Sequence, residues 1–221
     1  MDRRFSCRGF TDQPVAPETI RRILETAQRS PSWSNVQPWR AVVLGGPELA
    51  NLRERLLAAA VSFDGVSDVP PPEQYIGPFR DRRRASGFAL YDSLGITRDD
   101  VEGRTRQMRE NFRFFGAPHV AIVTSDASLG PYGYVDTGAF IAYFLLAATS
   151  HGVASIAQAA IAMQAEVVRE VLGIPESQHI ICGISFGYED ADHPANAFRT
   201  DRAPFDEAFD LRGIERIEEA R

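Results

Sequence analysis

Residues 134–158 constrain the fold of this chain more than any other stretch. Between residues 140 and 148 nearly every side chain is apolar or small, whereas a surface helix would show an apolar stripe and a polar face. The pattern therefore predicts a helix that is buried on all sides. A membrane span is the main alternative, but the apolar run is shorter than the roughly 20 residues that a bilayer requires. Asp136 also stands at its start, and Gly152 is expected to end the helix in a left-handed conformation.

The segment after this helix is a candidate site. Residues 153–158 read Val-Ala-Ser-Ile-Ala-Gln and are mostly small. We interpret them as a loop that holds backbone N–H groups rigidly against a ligand, because backbone groups are among the few polar contacts that fix a ligand in its pocket.

The composition excludes several classes of protein. The 221 residues carry a formal net charge of −6, which argues against nucleic acid as the main partner. Cys7 and Cys182 are the only cysteines, and the first residues lack the apolar core of a signal peptide, so we expect a cytoplasmic protein. The four histidines show no metal-ligand spacing, and no metal site is predicted.

Hydrophobic periodicity predicts few strands and several long helices. The helices are expected over residues 17–29, 48–63, 98–115 and 165–172, and the strands over residues 41–44, 119–124 and 180–186. This organisation indicates an α+β or α/β protein. The 14 phenylalanines imply more apolar surface than one small core needs, which hints at an oligomer.

Arginine and serine alternate near the start of the chain. In an extended segment, Arg4, Ser6 and Arg8 would face the same side. Two guanidinium groups and a hydroxyl on one side suit a phosphate. The alternative is a solvated chain terminus.

Two further segments combine aromatic and polar residues. Residues 30–40 contain both tryptophans and two prolines, which is compatible with a connecting loop or with a surface for a planar heterocycle. Residues 74–99 contain the charged run 80–84 among aromatic residues. That run is either a solvated helix face or a lid whose arginines meet an anionic substrate or the phosphate of a nicotinamide cofactor.

One catalytic motif is matched. Gly183-Ile184-Ser185-Phe186-Gly187 fits Gly-x-Ser-x-Gly, the nucleophile elbow of hydrolases, which must lie between a strand and a helix. Residues 188–194 do not begin a helix, and His193 lies too near in sequence for the usual triad. We interpret the match as accidental and the glycines as places where another backbone approaches the strand.

The order of several motifs is typical of one family. These motifs are Arg4-x-Ser6-x-Arg8, Pro31-Ser32-x-x-Asn35-x-Gln37-Pro38-Trp39, the segments 111–118 and 152–158, and Arg199-x-x-Arg202-Ala203-Pro204. Over almost its whole length, the chain resembles the FMN-dependent nitroreductase family. Arg83 and Arg84 followed by residues 87–95 are similar to the corresponding segment of nitrobenzoate-type reductases.

The resemblance implies an α+β nitroreductase-like fold in which helices flank a central, mixed but mainly antiparallel sheet. It also implies a single domain over residues 1–221, with a variable lid and substrate segment at about residues 64–115. The family forms intertwined homodimers with one FMN at each of two interface sites. NADH or NADPH would reduce the tightly bound FMN, and a small aromatic acceptor would then take the electrons. No catalytic side chain is expected, because the flavin carries the chemistry.

The resemblance assigns the cofactor contacts by position. The phosphate would be bound by Arg4, Ser6, Arg8 and Arg202, with Arg199 as a neighbour. The partner subunit would supply Pro31, Ser32, Trp33 and Asn35, while Gln37 would lie near the ribityl chain or the ring. Asn111 or Arg113 would face the pyrimidine side, and backbone N–H groups of Ile156, Ala157 and Gln158, with Ser155 beside them, would approach flavin N5.

The acceptor is less constrained. Tyr75, Arg83 and Phe112 would line its pocket, and the arginines at 82–84 could attract the carboxylate of a nitroaromatic acid such as nitrobenzoate. A quinone, enone or flavin reductase or a reductive dehalogenase on the same scaffold is an alternative. A flavin-binding module without turnover and, more distantly, a serine hydrolase that uses Ser185 are the others.

Overall fold

The computed structural model describes residues 3–60 and 65–213. Its helices are α1 (Pro17–Ala27), α2 (Gly46–Ala59), α3 (Gly77–Ser93), α4 (Val101–Arg109), α5 (Gly130–Ser150), α6 (Ala159–Ala162), α7 (Ala165–Leu172) and α8 (Phe205–Ala208). Its strands are β1 (Trp39–Gly45), β2 (His119–Asp126), β3 (Ala154–Gln158) and β4 (Gln178–Gly187).

The four strands form one sheet in the order β1-β2-β4-β3, and every neighbouring pair is antiparallel. Side chains of β2 alternate between two cores, as the geometry of a strand requires. Val120 and Ile122 pack on one face, and Ala121 and Val123 pack on the other. The predicted α+β fold with a mainly antiparallel sheet is therefore confirmed.

Helices cover both faces of the sheet. On one face α1 and α5 contribute Ile23, Ala27, Phe140 and Phe144 to the core. On the other face α2, α6 and α7 contribute Leu52, Leu56, Ile161 and Val168. Among the longer helices α3 stands apart, because it has no buried residue.

The predicted central helix is present as α5, but it is not buried on every side. Phe140 and Phe144 pack against the sheet, and Gly152 has φ 71° just past the end of the helix. The opposite face is open to solvent, where Val135 is 65% and Tyr143 40% exposed. The expectation that α5 is buried on all sides is wrong for a single copy of the chain, because α1 and the sheet cover only part of the helix. None of the helices in residues 3–60 and 65–213 is long and apolar enough to cross a membrane.

Residues 154–158, which the sequence predicts as a loop, form the edge strand β3 instead. Ala154 lies opposite Gly187, and Gln158 lies opposite Gly183. The N-terminal segment joins the free edge of β3, where the N–H of Cys7 donates to the carbonyl of Ser155 over 3.2 Å. Small residues give a weak strand signal, and pairing with β4 decides the conformation.

Other predicted elements differ mainly at their ends. The helix expected over residues 98–115 ends at Arg109, because Phe114 and Phe115 adopt left-handed φ values of 57° and 53°, which a helix cannot continue through. The helix expected over residues 48–63 is observed as α2, and residues 61–63 lie outside the described part. The helices expected over 17–29 and 165–172 and the three strands are confirmed.

Asp68 ties a surface loop to the sheet. Its carboxylate accepts two hydrogen bonds from Nη2 of Arg169, at 3.0 and 3.1 Å, and one from the N–H of Ile180 at 2.7 Å. The side chains of Asp68 and Arg169 are only 17% and 19% exposed. A single carboxylate therefore satisfies two largely buried donors.

We expect Asp68→Ala to lower the free energy of unfolding by about 2–4 kcal/mol, because it leaves a buried guanidinium and a strand N–H without their acceptor. Urea denaturation followed by circular dichroism measures this loss. Glu25→Ala is the matched control, since it removes an exposed ion pair with Arg21, and such pairs contribute little. Equal midpoints for the two variants would contradict the assignment.

Candidate functional site

An open cavity of about 430 Å³ lies where the N-terminal segment (residues 4–8) meets a C-terminal segment (residues 198–202). Arg4 and Arg8 line it from the N-terminal segment, and Arg199 and Arg202 line it from the C-terminal segment. The other lining residues are Phe5, Ser6, Ser86, Phe198 and Thr200. None of these described lining residues is acidic. Four guanidinium groups around one cavity suit a phosphate.

Asn196 holds the two chain ends together. Its Oδ1 accepts from the N–H of Arg8 at 2.7 Å, and its Nδ2 donates to the carbonyl of Gly9 at 2.9 Å. These partners lie 188 and 187 residues away in the sequence, so periodicity could not identify Asn196. Because the amide is buried, the cavity is shaped before any ligand binds.

Arg8 is partly buried, whereas Arg199 and Arg202 are exposed. Burial lowers the pKa of Arg8, but a guanidinium stays charged in proteins, and its Nη1 donates to the carbonyl of Ser6 at 3.1 Å. The neighbouring Cys7 does not neutralise it, because burial raises the pKa of that thiol to about 11. The thiol instead donates to the carbonyl of Gly9. The charge of Arg8 is therefore open to an external anion.

Arg199 and Arg202 have different local roles. The Arg199 guanidinium stacks 3.7 Å above the ring of Phe5, which joins the two chain ends. Nη1 of Arg202 donates only to Thr200 and to the carbonyl of Asp201. Within the described residues, no arginine of this cavity forms an ion pair with a carboxylate.

Ser155 has an unsatisfied polar group next to this cavity. Its hydroxyl is buried and finds no hydrogen-bond partner in residues 3–60 and 65–213, although buried hydroxyls are normally paired. Ser155 bridges to Ser6 and lines an adjoining cavity of about 180 Å³ that shares Phe5 with the first. Of the next residues along β3, Ile156 is buried and Ala157 is exposed.

The side chain of Gln158 positions Asn111. Its Nε2 donates to the carbonyl of Asn111 at 2.9 Å and to Oδ1 of Asn111 at 3.3 Å. Its Oε1 accepts from the hydroxyl of Ser185. Gln158 is 3% exposed, so this network fixes Asn111 from inside the protein, a role that the sequence does not indicate.

Ser185 has no access to a substrate. It lies within β4, is fully buried, and donates its hydroxyl to Gln158. A Cβ added at Gly187 would lie 2.6 Å from Cδ of Pro118, and one added at Gly183 would lie 2.9 Å from Cγ1 of Ile161. The glycines therefore make room for the side chains of Ile161 and Pro118, and not for another backbone as expected from the sequence. A nucleophile elbow is absent from this described strand.

Asn111 and Arg113, the two predicted pyrimidine contacts, differ in how they are held. Arg113 is exposed, and its Nε lies 3.4 Å from Oε1 of Glu110. Burial raises the pKa of Glu110, and the charge of Arg113 opposes that shift. Asn111 is fixed by Gln158, so it is the better positioned of the two.

The residues predicted to line an acceptor pocket are not all accessible. Tyr75 is 44% exposed, and the Arg83 guanidinium lies 5.1 Å from the centre of its ring. Phe112 is 2% exposed and belongs to the core. The expectation that Phe112 lines the pocket is therefore not met in this conformation, because its ring fills space between the helices and the sheet.

Residues 31–37 form a loop that its own side chains hold. Oγ of Ser32 accepts from the N–H of Gln37 at 3.0 Å, and Nε2 of Gln37 donates to Asn35 at 3.0 and 3.1 Å. The N–H of Trp33 donates to the carboxylate of Asp136 on α5 at 3.0 Å. The loop is thus attached to the exposed side of α5, with Pro31 open to solvent.

Strained backbone conformations occur in the loop 31–37 and just after Arg113. In the described residues, the positive φ values outside glycine belong to Ser34, Asn35, Gln37, Phe114 and Phe115. Such conformations cost about 1–3 kcal/mol each and cluster at functional sites. Both groups fall within or next to segments that the sequence assigns to cofactor contacts.

The loop and the arginine cavity lie at opposite corners of the sheet. The loop precedes Trp39 on the edge strand β1, whereas the cavity adjoins Ser155 on the other edge strand, β3. Three inter-strand gaps and six residues along β2 separate these points, which amounts to about 24 Å. One chain therefore does not bring residues 31–37 to its own arginine cavity.

No group of three or more histidine, cysteine, aspartate or glutamate side chains in the described part of the chain could hold a metal ion. The two cysteines are free and buried.

Comparison with known proteins identifies the family to which the chain belongs. The family model described as "Nitroreductase family" matches residues 1–188. The chain is 38% identical to 4-nitrobenzoate reductase of Nocardioides sp. (strain LMS-CY), over 92% of this chain and 84% of that protein. It is 36% identical to the nitroreductase NfnB of Mycolicibacterium smegmatis, over 92% and 87% respectively.

Solved structures agree with these relatives. The FMN-dependent nitroreductase NfnB from Mycobacterium smegmatis, solved in complex with NADPH, superposes with a TM-score of 0.91 at 35% identity, covering 95% of this chain and 94% of that one. The FMN and NADPH-dependent NfnB from Sphigopyxis sp. strain HMH gives 0.92 at 35% identity, covering 96% and 97%. The chain belongs to the nitroreductase family.

Proposed function

We propose that this protein is an FMN-dependent oxidoreductase that takes reducing equivalents from NADH or NADPH and reduces nitroaromatic compounds. The observation that carries the proposal is the cavity that four arginines line from the N-terminal and C-terminal segments, with no acidic residue among its described lining. Membership of the nitroreductase family supplies the redox chemistry that the cavity alone does not specify.

The residues present fit FMN. Arg4, Ser6, Arg8 and Arg202 would hold its phosphate, and Arg199, which stacks on Phe5, would contribute charge. The buried hydroxyl of Ser155, unsatisfied within the described residues, offers a further polar contact. When bound, FMN supplies hydride and electron transfer between nicotinamide and acceptor.

Main-chain and amide groups would orient the flavin ring. Asn111 would face the pyrimidine side, and Gln158 holds Asn111 in place from the core. The strand of residues 155–158 begins beside the arginine cavity at Ser155, which bridges to Ser6, and its backbone N–H groups would approach N5. Rigid donors of this kind lower the cost of charge on a reduced ring, since they need no reorganisation. No side chain is required as an acid or base, because water can supply protons.

We further propose that the active protein is a homodimer. An exposed apolar face on α5 includes Tyr132, Val135 and Tyr143, and Trp33 packs edge-on to Tyr132 at 4.5 Å. Exposed apolar side chains that lie together on one helix face are typical of a contact surface. A two-fold dimer would bring residues 31–37 of the partner to each arginine cavity, which one chain cannot do.

The proposal also covers the domain organisation, the kind of partner and the location of the protein. Residues 1–221 form one domain, and the segment at about 64–115, which contains α3 and α4, acts as a lid over the acceptor. The net charge of −6 supports a small molecule rather than nucleic acid as partner. The free cysteines suit a cytoplasmic location.

An absorbance spectrum of the purified protein, followed by anaerobic addition of NADPH or NADH, tests the proposal. We expect flavin bands that bleach with nicotinamide and return when nitrobenzene is added. Benzoquinone as a second acceptor distinguishes nitro reduction from quinone reduction by the ratio of kcat/KM values. A colourless protein that takes up no added FMN would contradict the proposal.

A further inference from the structure

A second cavity adjoins the arginine cavity and lies between α3 and the C-terminal segment. We call it the α3 groove; its volume is about 290 Å³. Ser86, Arg199, Thr200 and Arg202 line both cavities, so the groove begins at the arginines that would bind the FMN phosphate. The proposed function leaves this groove without a ligand.

Small side chains line much of the groove. Ala85 and Ala89 face it from α3, on the side that Ser86 shares, because residues three and four apart lie on one side of a helix. Ala203 and Pro204 face it from the C-terminal segment. The groove is close in size to the smallest small-molecule pockets, which measure about 300 Å³ and are mostly apolar. It therefore suits a group such as a nucleoside, with a flat base between apolar walls.

The charged residues of the groove point to an unphosphorylated ribose. Nη2 of Arg82 on α3 lies 2.6 Å from Oε2 of Glu207 on α8, so these two charges compensate each other. Asp201 is the remaining charged residue among those described that line the groove and not the arginine cavity. Its carboxylate has no hydrogen-bond or ion-pair partner in residues 3–60 and 65–213. In dinucleotide sites an acidic residue accepts a hydrogen bond from the ribose 2′-OH, whereas an arginine accommodates a 2′-phosphate.

The position of the groove distinguishes two ligands that contain adenosine. A nicotinamide dinucleotide brings its nicotinamide to the flavin ring, whereas the groove begins at the phosphate end of the site. FAD carries its adenosine on that same phosphate, through a diphosphate. The four arginines of the first cavity have enough N–H donors for both phosphate groups.

We infer that the α3 groove binds adenosine that is joined to a diphosphate, and that this protein therefore accepts FAD in place of FMN, with the diphosphate among the four arginines. The inference rests on the proposed function for the flavin half of the ligand. The adenosine half rests on the residues of the groove itself.

Calorimetry with FMN and FAD on the full-length protein freed of flavin tests the inference. Ala89→Trp fills the groove and should raise the Kd of FAD at least tenfold, while the Kd of FMN stays within about twofold. Gly87→Trp is the matched control, since Gly87 lies about 160° around the helix from Ala89 and a Cβ there meets open space. This variant should bind both flavins as the native protein does. Failure of the native protein to bind FAD, or equal losses for FMN and FAD in Ala89→Trp, would overturn the inference.

A second variant tests the ribose contact without filling the groove. Asp201→Asn should raise the Kd of FAD by about tenfold, because a hydrogen bond to a charged group is lost, and should leave the Kd of FMN unchanged. The nicotinamide alternative is tested with NAD⁺ on the FMN-loaded protein, which NAD⁺ does not reduce. If Ala89→Trp weakened NAD⁺ binding and left FAD binding unchanged, the groove would belong to the nicotinamide cofactor and the inference would be overturned.

ADP and inorganic pyrophosphate separate this inference from the proposed function, because neither contains a flavin. Ala89→Trp should weaken the binding of ADP and leave that of pyrophosphate unchanged, since only ADP carries adenosine. This result would support the adenosine site even if neither flavin bound, an outcome that would reject the proposed function alone. Conversely, FMN binding with ADP no tighter than pyrophosphate would reject the adenosine site and leave the proposed function intact.

Discussion

Replacing Arg202 with alanine should weaken FMN binding by about 10- to 100-fold, because a charge-assisted hydrogen bond is worth about 1.5–3 kcal/mol. Arg202 lines the cavity from the C-terminal segment, and its Nη1 contacts only Thr200 and the neighbouring carbonyl of Asp201. Its charge is therefore not needed to neutralise a described carboxylate. The loss should appear in ligand affinity and not in stability of the fold.

Titration of the flavin-free protein with FMN, followed by quenching of flavin fluorescence, measures this effect. Arg84→Ala is the matched control, since Arg84 is also basic and lies on α3 but faces away from the cavity. Thermal unfolding without FMN should be unchanged in both variants. If Arg202→Ala and Arg84→Ala bound FMN equally well, Arg202 would have no part in phosphate binding.

Placing a charge on the exposed face of α5 should have the second large effect. We expect Val135→Asp to convert the dimer to a monomer, because two-fold symmetry would bury the carboxylate twice, at several kcal/mol for each unpaired charge. The monomer should also lose most of its FMN, since residues 31–37 of the partner would no longer reach the arginine cavity. Light scattering coupled to size-exclusion chromatography gives the mass, and the ratio of absorbance at 450 and 280 nm gives the flavin content.

Val101→Asp provides the comparison for this experiment. Val101 is 62% exposed on α4, close to the 65% of Val135, but it lies outside the apolar face of α5. This variant should keep both the native mass and its flavin. A Val135→Asp protein that remains a dimer with full FMN content would show that the α5 face is not the subunit contact.

Local sequence patterns predict one half of the arginine cavity but not the other. Arg4, Ser6 and Arg8 share a side because an extended chain alternates its side chains, and they do line one cavity. Only the family resemblance indicates Arg202 as a phosphate contact, since no periodicity links residues almost 200 positions apart. Ser86 was missed for the same reason, because only the tertiary fold brings α3 to the cavity.

The errors in the fold have a common origin. β3 was predicted as a loop because four of its five residues are alanine, serine or glutamine, and only its pairing with β4 makes it a strand. The apolar pattern of α5 predicts more burial than one chain provides, because such a pattern does not show whether a face is covered by the same chain or by another one. The left-handed φ values at Ser34, Gln37 and Phe115 give no sequence signal, as those residue types rarely adopt them.

The hydrogen bonds that Asn196 makes to Arg8 and Gly9 have a consequence for synthesis on the ribosome. The last strand of the sheet ends at Gly187, so a nascent chain can complete its sheet before residues 188–202 emerge. The phosphate cavity is complete only when Arg202 has joined Arg4. If this cavity binds FMN as proposed, loading would follow translation of the C-terminal segment, and a truncated product that folds its sheet would remain colourless.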